Sequence, residues 1–125
     1  MASLPQYVLS AWADREGPIV FAIVDRKGVP NAIYATCVNL HGDDRIVIAD
    51  NYMVKTLQNI RSGSLGTILF LTRDKKSFQI KGGLDYHSSG KIFDEMRGWN
   101  PVKHPGRAAV VVRVEEVYPG GERLL

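Results

Sequence analysis

The alternation of apolar and polar residues along the chain predicts six β-strands, most of them joined by short turns. Each strand is a run rich in β-branched and aromatic residues, bounded by glycine, proline, asparagine, aspartate or other charged residues. Two adjacent glycines, Gly82 and Gly83, interrupt the fifth run and predict a bulge or a sharp bend. The predicted strands span residues 19–25, 31–39, 45–49, 66–72, 77–86 and 108–118.

Apolar residues spaced three and four positions apart predict three short helices. Ser3 is the predicted N-cap of the first helix, and Asp50 or Asn51 is that of the second. Gly63 ends the second helix, because glycine accepts the left-handed conformation that closes many helices. The predicted helices span residues 5–15, 53–62 and 89–97, and a loop with two prolines spans residues 99–106.

These elements predict a mainly β or α+β fold. Strands joined by tight turns pair antiparallel. Six such strands favour a closed or nearly closed barrel, because closure removes exposed sheet edges, and the helices would cover its ends. A chain of 125 residues has the size of one domain, so residues 1–125 are expected to fold as a single unit.

Composition narrows the functional classes. The chain is 45% hydrophobic and 23% charged, which is typical of a globular domain. Its 16 basic and 13 acidic residues give a net charge of +3, but the basic residues are scattered, so we expect no nucleic-acid partner. The longest apolar run, residues 19–24, is too short to span a membrane, and residues 1–14 do not resemble a signal peptide. The single Cys37 allows no intrachain disulfide and fits a cytoplasmic protein.

The chain lacks the motifs of a self-sufficient active site. It contains no G-x-G-x-x-G, Walker A, H-E-x-x-H or C-x-x-C string, and its three histidines, His41, His87 and His104, are far apart in the sequence. We therefore expect no metal site. Cys37 lies within a predicted strand and is interpreted as a small buried hydrophobic residue. Redox chemistry, if present, would need a cofactor.

One segment combines several features of an anion site. The strand at 45–49 ends in a polar elbow, Asp50–Asn51–Tyr52, and Lys55 and Thr56 then fall in the first turn of the predicted helix. The first backbone N–H groups of a helix are unpaired and its dipole is positive there, so anions bind at this end. Lysine opposes that dipole, and a bound phosphate would reverse the penalty. Lys55 and Thr56 are the candidate phosphate-binding residues.

In order and spacing, these segments resemble the pyridoxamine-phosphate-oxidase-like family of split barrels that bind flavin mononucleotide (FMN). The resemblance covers roughly residues 18–118 and is strongest to the small one-domain members. It rests on the elbow at residues 50–52, on Lys55–Thr56, on the strand at 78–82 that contains Gln79, and on the valine-rich closing strand at 108–118. The resemblance implies a six-stranded antiparallel split β-barrel with short flanking helices.

The resemblance also implies a homodimer with FMN in clefts between the subunits. Valines on both faces of the strands agree with this, because they imply apolar surface to cover. In this family the helix start holds the phosphate, which corresponds to Lys55 and Thr56. A glutamine corresponds to Gln79, and Trp99 and Tyr118 are the aromatic candidates from the second subunit. The flavin ring would lie along Ala32, Ile33, Tyr34, Ala49, Asp50, Asn51 and Tyr52.

The chain departs from the true oxidases of the family. Only Lys55 is basic at the phosphate position, and no arginine lies in the strand at 31–39. The sequence stops at Leu125, so we expect it to lack the C-terminal extension that binds their substrate. We therefore expect a flavin-dependent oxidoreductase or electron carrier that has a small-molecule or protein redox partner and does not oxidise pyridoxine phosphate. A carboxylate at Asp50, near the pyrimidine end of the ring, would disfavour the anionic reduced flavin and lower its potential.

Two alternatives stay open at this point. The same fold could bind a deazaflavin, or it could be a non-catalytic module, either a flavin store or sensor or a barrel that has lost its cofactor. The aromatic and amide candidates also have ordinary structural interpretations. Tyr52 could cover a barrel end, Tyr34 could pack on its strand, Gln79 could satisfy a buried backbone group, and Trp99 could anchor a loop.

Overall fold

The structure, a computed structural model, describes residues 2–125, and these form nine strands and three helices. None of these helices is long and apolar enough to cross a bilayer. The elements, in chain order, are α1 (Gln6–Ala13), β1 (Ile19–Val24), β2 (Pro30–Ala35), β3 (Val38–His41), β4 (Arg45–Asp50), α2 (Lys55–Arg61), β5 (Gly66–Leu71), β6 (Ser77–Gly82), β7 (Leu84–His87), α3 (Lys91–Trp99), β8 (Ala108–Arg113) and β9 (Glu116–Pro119).

Two antiparallel sheets form the barrel. One has five strands in the order β2-β1-β5-β6-β9, and the other has four in the order β3-β4-β8-β7. Three strands lead directly into a strand of the other sheet, β2 into β3, β6 into β7 and β8 into β9, and the chain also crosses from β4 to β5 through α2. The predicted fold class is confirmed, since the chain is mostly β with three short helices and has the split-barrel architecture.

The strand boundaries differ from the prediction at these three crossings. The predicted strands 31–39, 77–86 and 108–118 each divide into two strands, one in each sheet. The glycine pair predicted the bend at residues 82–83, where a Cβ on Gly82 would lie 1.6 Å from the carbonyl oxygen of Arg113. Neither of the other two crossings, at 36–37 and 114–115, contains a glycine or proline, so the sequence provided no such signal.

The helix starts also differ from the prediction. The N-cap of α1 is Pro5, which has no side chain able to cap, so the assignment of Ser3 is wrong. The N-cap of α2 is Val54, again without a side-chain hydrogen bond, so neither Asp50 nor Asn51 caps this helix. Residues 51–54 instead form a separate connection before α2 begins.

The main core lies between the two sheets and includes the buried residues Ile19, Phe21, Ile46, Ile48, Ile68, Phe78, Ile80, Val110 and Val112. A second cluster lies on the outer face of the four-stranded sheet, where α3 covers it, and consists of Val47, Ala49, Met96, Ala109 and Val111. Strands β4 and β8 are therefore buried on both faces within one chain. The valines of β8 therefore offer no apolar surface to a second subunit. The expectation that valines on both strand faces need a partner to cover them is wrong for this strand.

Candidate functional site

A cavity of about 610 Å³ lies between strand β2, the end of β4 and the connection from β4 to α2. Its volume is in the range of small-molecule sites. The residues that line it are Asn31, Ala32, Ile33, Tyr34, Ala35, Thr36, Cys37, Ala49, Asn51, Tyr52, Met53, Val54, Lys55 and Thr56.

Most of the residues that the sequence analysis proposed for a cofactor line this cavity. They are Ala32, Ile33, Tyr34, Ala49, Asn51, Tyr52, Lys55 and Thr56. One hydrogen bond joins the two halves of the wall, because Asn31 Nδ2 at the start of β2 donates to Thr56 Oγ1 in α2 over 3.0 Å. Strand β2 and helix α2 are thus held side by side although 25 positions separate these residues.

The cavity has a charged end. Lys55 is exposed at the first position of α2 and is the only charged side chain among the described residues that line the cavity. It forms no ion pair within residues 2–125. Thr56 is 3% exposed, and its hydroxyl oxygen accepts from Asn31, which leaves the hydroxyl hydrogen available. A cation and a hydroxyl donor therefore lie together at this end.

Much of the rest of the cavity wall is apolar, beside the polar residues Asn31, Thr36 and Asn51, and is bordered by aromatic rings. Ala32, Ile33 and Ala49 contribute small and aliphatic surface. Tyr34 and Tyr52 are 77% and 67% exposed, so both rings are available to a ligand. A planar ligand with an anionic group matches this combination of apolar surface, aromatic rings and a cation.

The free edge of β2 adds backbone hydrogen-bonding groups to the wall. Strand β2 is the end strand of the five-stranded sheet and pairs only with β1. The hydrogen bond from Asp25 N–H to the Val29 carbonyl sets the alternation of this antiparallel pair. By that alternation the N–H and C=O groups of Ala32 and Tyr34 point away from β1. They supply donors and acceptors where the side chains are apolar.

Asp50 supports the site from beneath and does not line it. Its side chain is fully buried, and its carboxylate accepts hydrogen bonds from Met53 N–H (3.0 Å), Tyr86 Oη (2.5 Å) and Arg107 Nη2 (2.8 Å). Burial and the hydrogen bond to Asp50 raise the pKa of Tyr86 to about 12. Three donors from the same chain thus engage the carboxylate that was predicted to lie beside the flavin ring.

The loop that follows α3 holds the cavity wall in place. Asn51 and Asn100 exchange two side-chain hydrogen bonds, of 3.3 and 2.9 Å, and Gly106 N–H donates to Asn51 Oδ1 over 3.0 Å. Arg107 Nη2 also donates to the Met53 carbonyl. These partners are roughly fifty positions from the elbow, and local sequence patterns do not detect pairing at such a distance.

Two other residues that were predicted to bind the cofactor lie outside the cavity. Gln79 is on the outer face of the five-stranded sheet, opposite Leu69 and Tyr118 on the neighbouring strands. Trp99 ends α3 and packs against the second cluster. Neither lines the cavity of a single chain. Cys37 does line it, and it lies partly buried between β2 and β3 rather than within a strand, which corrects its predicted position.

Solved structures similar to this chain share its fold at low sequence identity. HupZ of Group A Streptococcus has a TM-score of 0.81 at 20% identity and covers 97% of this chain and 94% of its own. An FMN-binding protein from Syntrophomonas wolfei has a TM-score of 0.77 at 21% identity, over 88% of this chain and 81% of its own. An F420 reductase has a TM-score of 0.71 at 15% identity, over 94% and 100% of the two chains.

Sequence comparison also provides evidence for the family, which structural matches at low identity do not. An uncharacterised protein of Methanocaldococcus jannaschii is 31% identical over 82% of this chain and 73% of its own length. The family model described as pyridoxamine 5′-phosphate oxidase matches residues 9–119, which is most of the barrel. The chain therefore belongs to the pyridoxamine 5′-phosphate oxidase family.

Proposed function

We propose that this protein is a flavoprotein that binds FMN in the cavity beside β2 and takes part in flavin redox chemistry as an oxidoreductase or electron carrier. The observation that carries the proposal is the composition of the cavity wall. Eight residues selected from the sequence for this cofactor line one cavity of about 610 Å³. Membership of the family and the likeness to an FMN-binding protein support the same ligand.

The two ends of the cavity suit the two ends of FMN. Lys55 and Thr56 offer a cation and a hydroxyl donor to the phosphate. The small residues Ala32 and Ala49 leave room for a planar ring, and the outward-directed backbone groups of Ala32 and Tyr34 offer donors and acceptors to its polar edge. Tyr34 and Tyr52 provide aromatic surface at the opening.

The bound flavin would supply the hydride and one-electron chemistry. The chain's own residues bind and orient it, and the buried Asp50–Arg107–Tyr86 contacts keep the wall from shifting. No protein nucleophile enters the proposal, so Cys37 contributes surface only. The single cysteine also supports a cytoplasmic location, which we propose for this protein.

We further propose a homodimer that completes the site. The outer face of the five-stranded sheet carries one aligned row across its strands, Tyr34, Val20, Leu69, Gln79 and Tyr118. Tyr34, Leu69 and Leu71 are large, exposed residues on this face. Since Ala32 and Tyr34 belong both to the face and to the cavity, a second copy on this face would cover the cavity. Gln79 and Tyr118 would then approach the ligand from that copy.

A deazaflavin is the second candidate ligand, since an F420 reductase shares the fold. Identification of the ligand in freshly purified protein distinguishes the candidates. We expect yellow protein that releases FMN on denaturation, as shown by absorbance and mass. Release of a deazaflavin would support the second candidate. Protein that carries no flavin and binds none on titration would contradict the proposal, and FMN that no nicotinamide donor reduces would indicate a store or sensor.

A further inference from the structure

The exposed ring of Tyr52 has one hydrogen-bond partner among the described residues, and it comes from a distant loop. Tyr52 Oη lies 3.2 Å from His104 Nδ1. The two rings also meet edge to face, with centroids 5.7 Å apart and planes at 84°. The residues are 52 positions apart, so this contact depends on the fold and not on local structure.

The segment that carries His104 is held at both ends. Asn100 pairs with Asn51 at one end, and Arg107 donates to Asp50 and to the Met53 carbonyl at the other. His104 N–H also donates to the Pro101 carbonyl over 3.0 Å, which closes a turn within the segment. The imidazole is therefore presented to Tyr52 from an anchored loop, although the phenol itself is 67% exposed.

We propose that His104 is a positioning residue that fixes the Tyr52 ring as part of the cavity wall, so that a planar ligand meets a ring already in place. An exposed tyrosine otherwise samples several rotamers, and ordering it upon binding costs affinity. The hydrogen bond and the edge-to-face contact keep the ring ordered before the ligand arrives. The identity of the ligand rests on the proposed function, whereas the ordering of Tyr52 does not.

The first test needs no ligand. With 3-fluorotyrosine at position 52, the ¹⁹F signal should move to the position of a free, exposed tyrosine in His104→Ala. His104→Asn keeps a hydrogen-bonding amide at the place of Nδ1 and should restore much of the original shift. A signal that is identical in wild type and His104→Ala would overturn the proposal. Because Asn100 and Arg107 hold the loop, we expect both variants to fold.

The second test is a double-mutant cycle on FMN affinity. His104→Ala should weaken binding about 2- to 10-fold, the range expected for one side chain that must be ordered. In a Tyr52→Ala background, which lacks the whole ring, the same substitution should have little further effect. Equal losses in both backgrounds would contradict a role through Tyr52. If wild type binds no FMN but the ¹⁹F signal depends on His104, the proposed function fails and the positioning of Tyr52 stands.

Discussion

Asp50 is a fully buried carboxylate directly below an open cavity, and its hydrogen bonds explain how the fold tolerates it. An unpaired buried charge is costly, but here a guanidinium, a phenol and a backbone N–H all donate to it. These donors come from β7, the loop just before β8 and the connection before α2. Asp50 therefore connects three separate parts of the chain under the wall formed by Asn51 and Tyr52.

Tyr86→Phe should measure the strength of this connection. Loss of a hydrogen bond to a charged group should lower the free energy of unfolding by about 1.5–3 kcal/mol at pH 7. The pKa of Tyr86 is raised to about 12, above its ordinary value of about 10, so the contribution is complete below pH ~10 and is lost as the pH rises towards 12. Urea unfolding of both proteins from pH 7 to 12 should show the difference shrinking above pH ~10. A difference that stays constant would contradict the assignment.

At the scale of elements, the sequence predicted the positions of strands and helices better than the points at which the chain crosses from one sheet to the other. Hydrophobic periodicity located all three helices and all six apolar runs, because it depends on neighbours a few positions apart. The crossings at 36–37 and 114–115 depend on contacts between distant strands and have no local signature. The same limit applies to the site. The sequence identified the elbow and Lys55 as parts of the candidate site, whereas it did not identify Asn100, His104 and Arg107.

Gly82→Ala tests the crossing from β6 to β7. A Cβ at this position would lie 1.6 Å from the backbone oxygen of Arg113, which cannot move away as a side chain could. We expect a loss of about 3 kcal/mol or more in the free energy of unfolding. Gly98→Ala is the matched control, since a Cβ there meets nothing within 4 Å and the residue is helical. It should be neutral or stabilising by up to about 1 kcal/mol. Similar stabilities for both variants would contradict the crowding at Gly82.

At the scale of the whole molecule, the two sheets differ in how their outer faces are covered. Helix α3 covers the outer face of the four-stranded sheet, and the second cluster lies beneath it. On the five-stranded sheet, Leu69 and Leu71 are each 39% exposed and Tyr34 is 77% exposed. The apolar surface that a partner would cover therefore lies on the five-stranded sheet, next to the cavity, and not on the valine-rich strand β8.

Leu69→Asp tests whether this face joins two copies. We expect wild type to be a dimer at micromolar concentration by light scattering, with an interface of a permanent type that buries more than about 2,000 Å². A charge at the centre of the face should produce monomers and weaken FMN binding, because the cavity loses its cover. Val102→Asp is the control, since Val102 is fully exposed and lies on the loop after α3, outside the strands of this sheet. A stable wild-type monomer that retains FMN would contradict the homodimer.

The most direct test of the proposed site is a titration of FMN and riboflavin into wild type, Lys55→Ala and Lys91→Ala. Both lysines are exposed and begin a helix, but only Lys55 lines the cavity. A hydrogen bond to a charged group contributes roughly 1.5–3 kcal/mol, so Lys55→Ala should weaken FMN binding about 10- to 150-fold. Riboflavin has no phosphate, so its affinity should barely change, and Lys91→Ala should affect neither ligand. Equal losses of FMN and riboflavin in Lys55→Ala would show that Lys55 does not bind the phosphate and would contradict the proposed site.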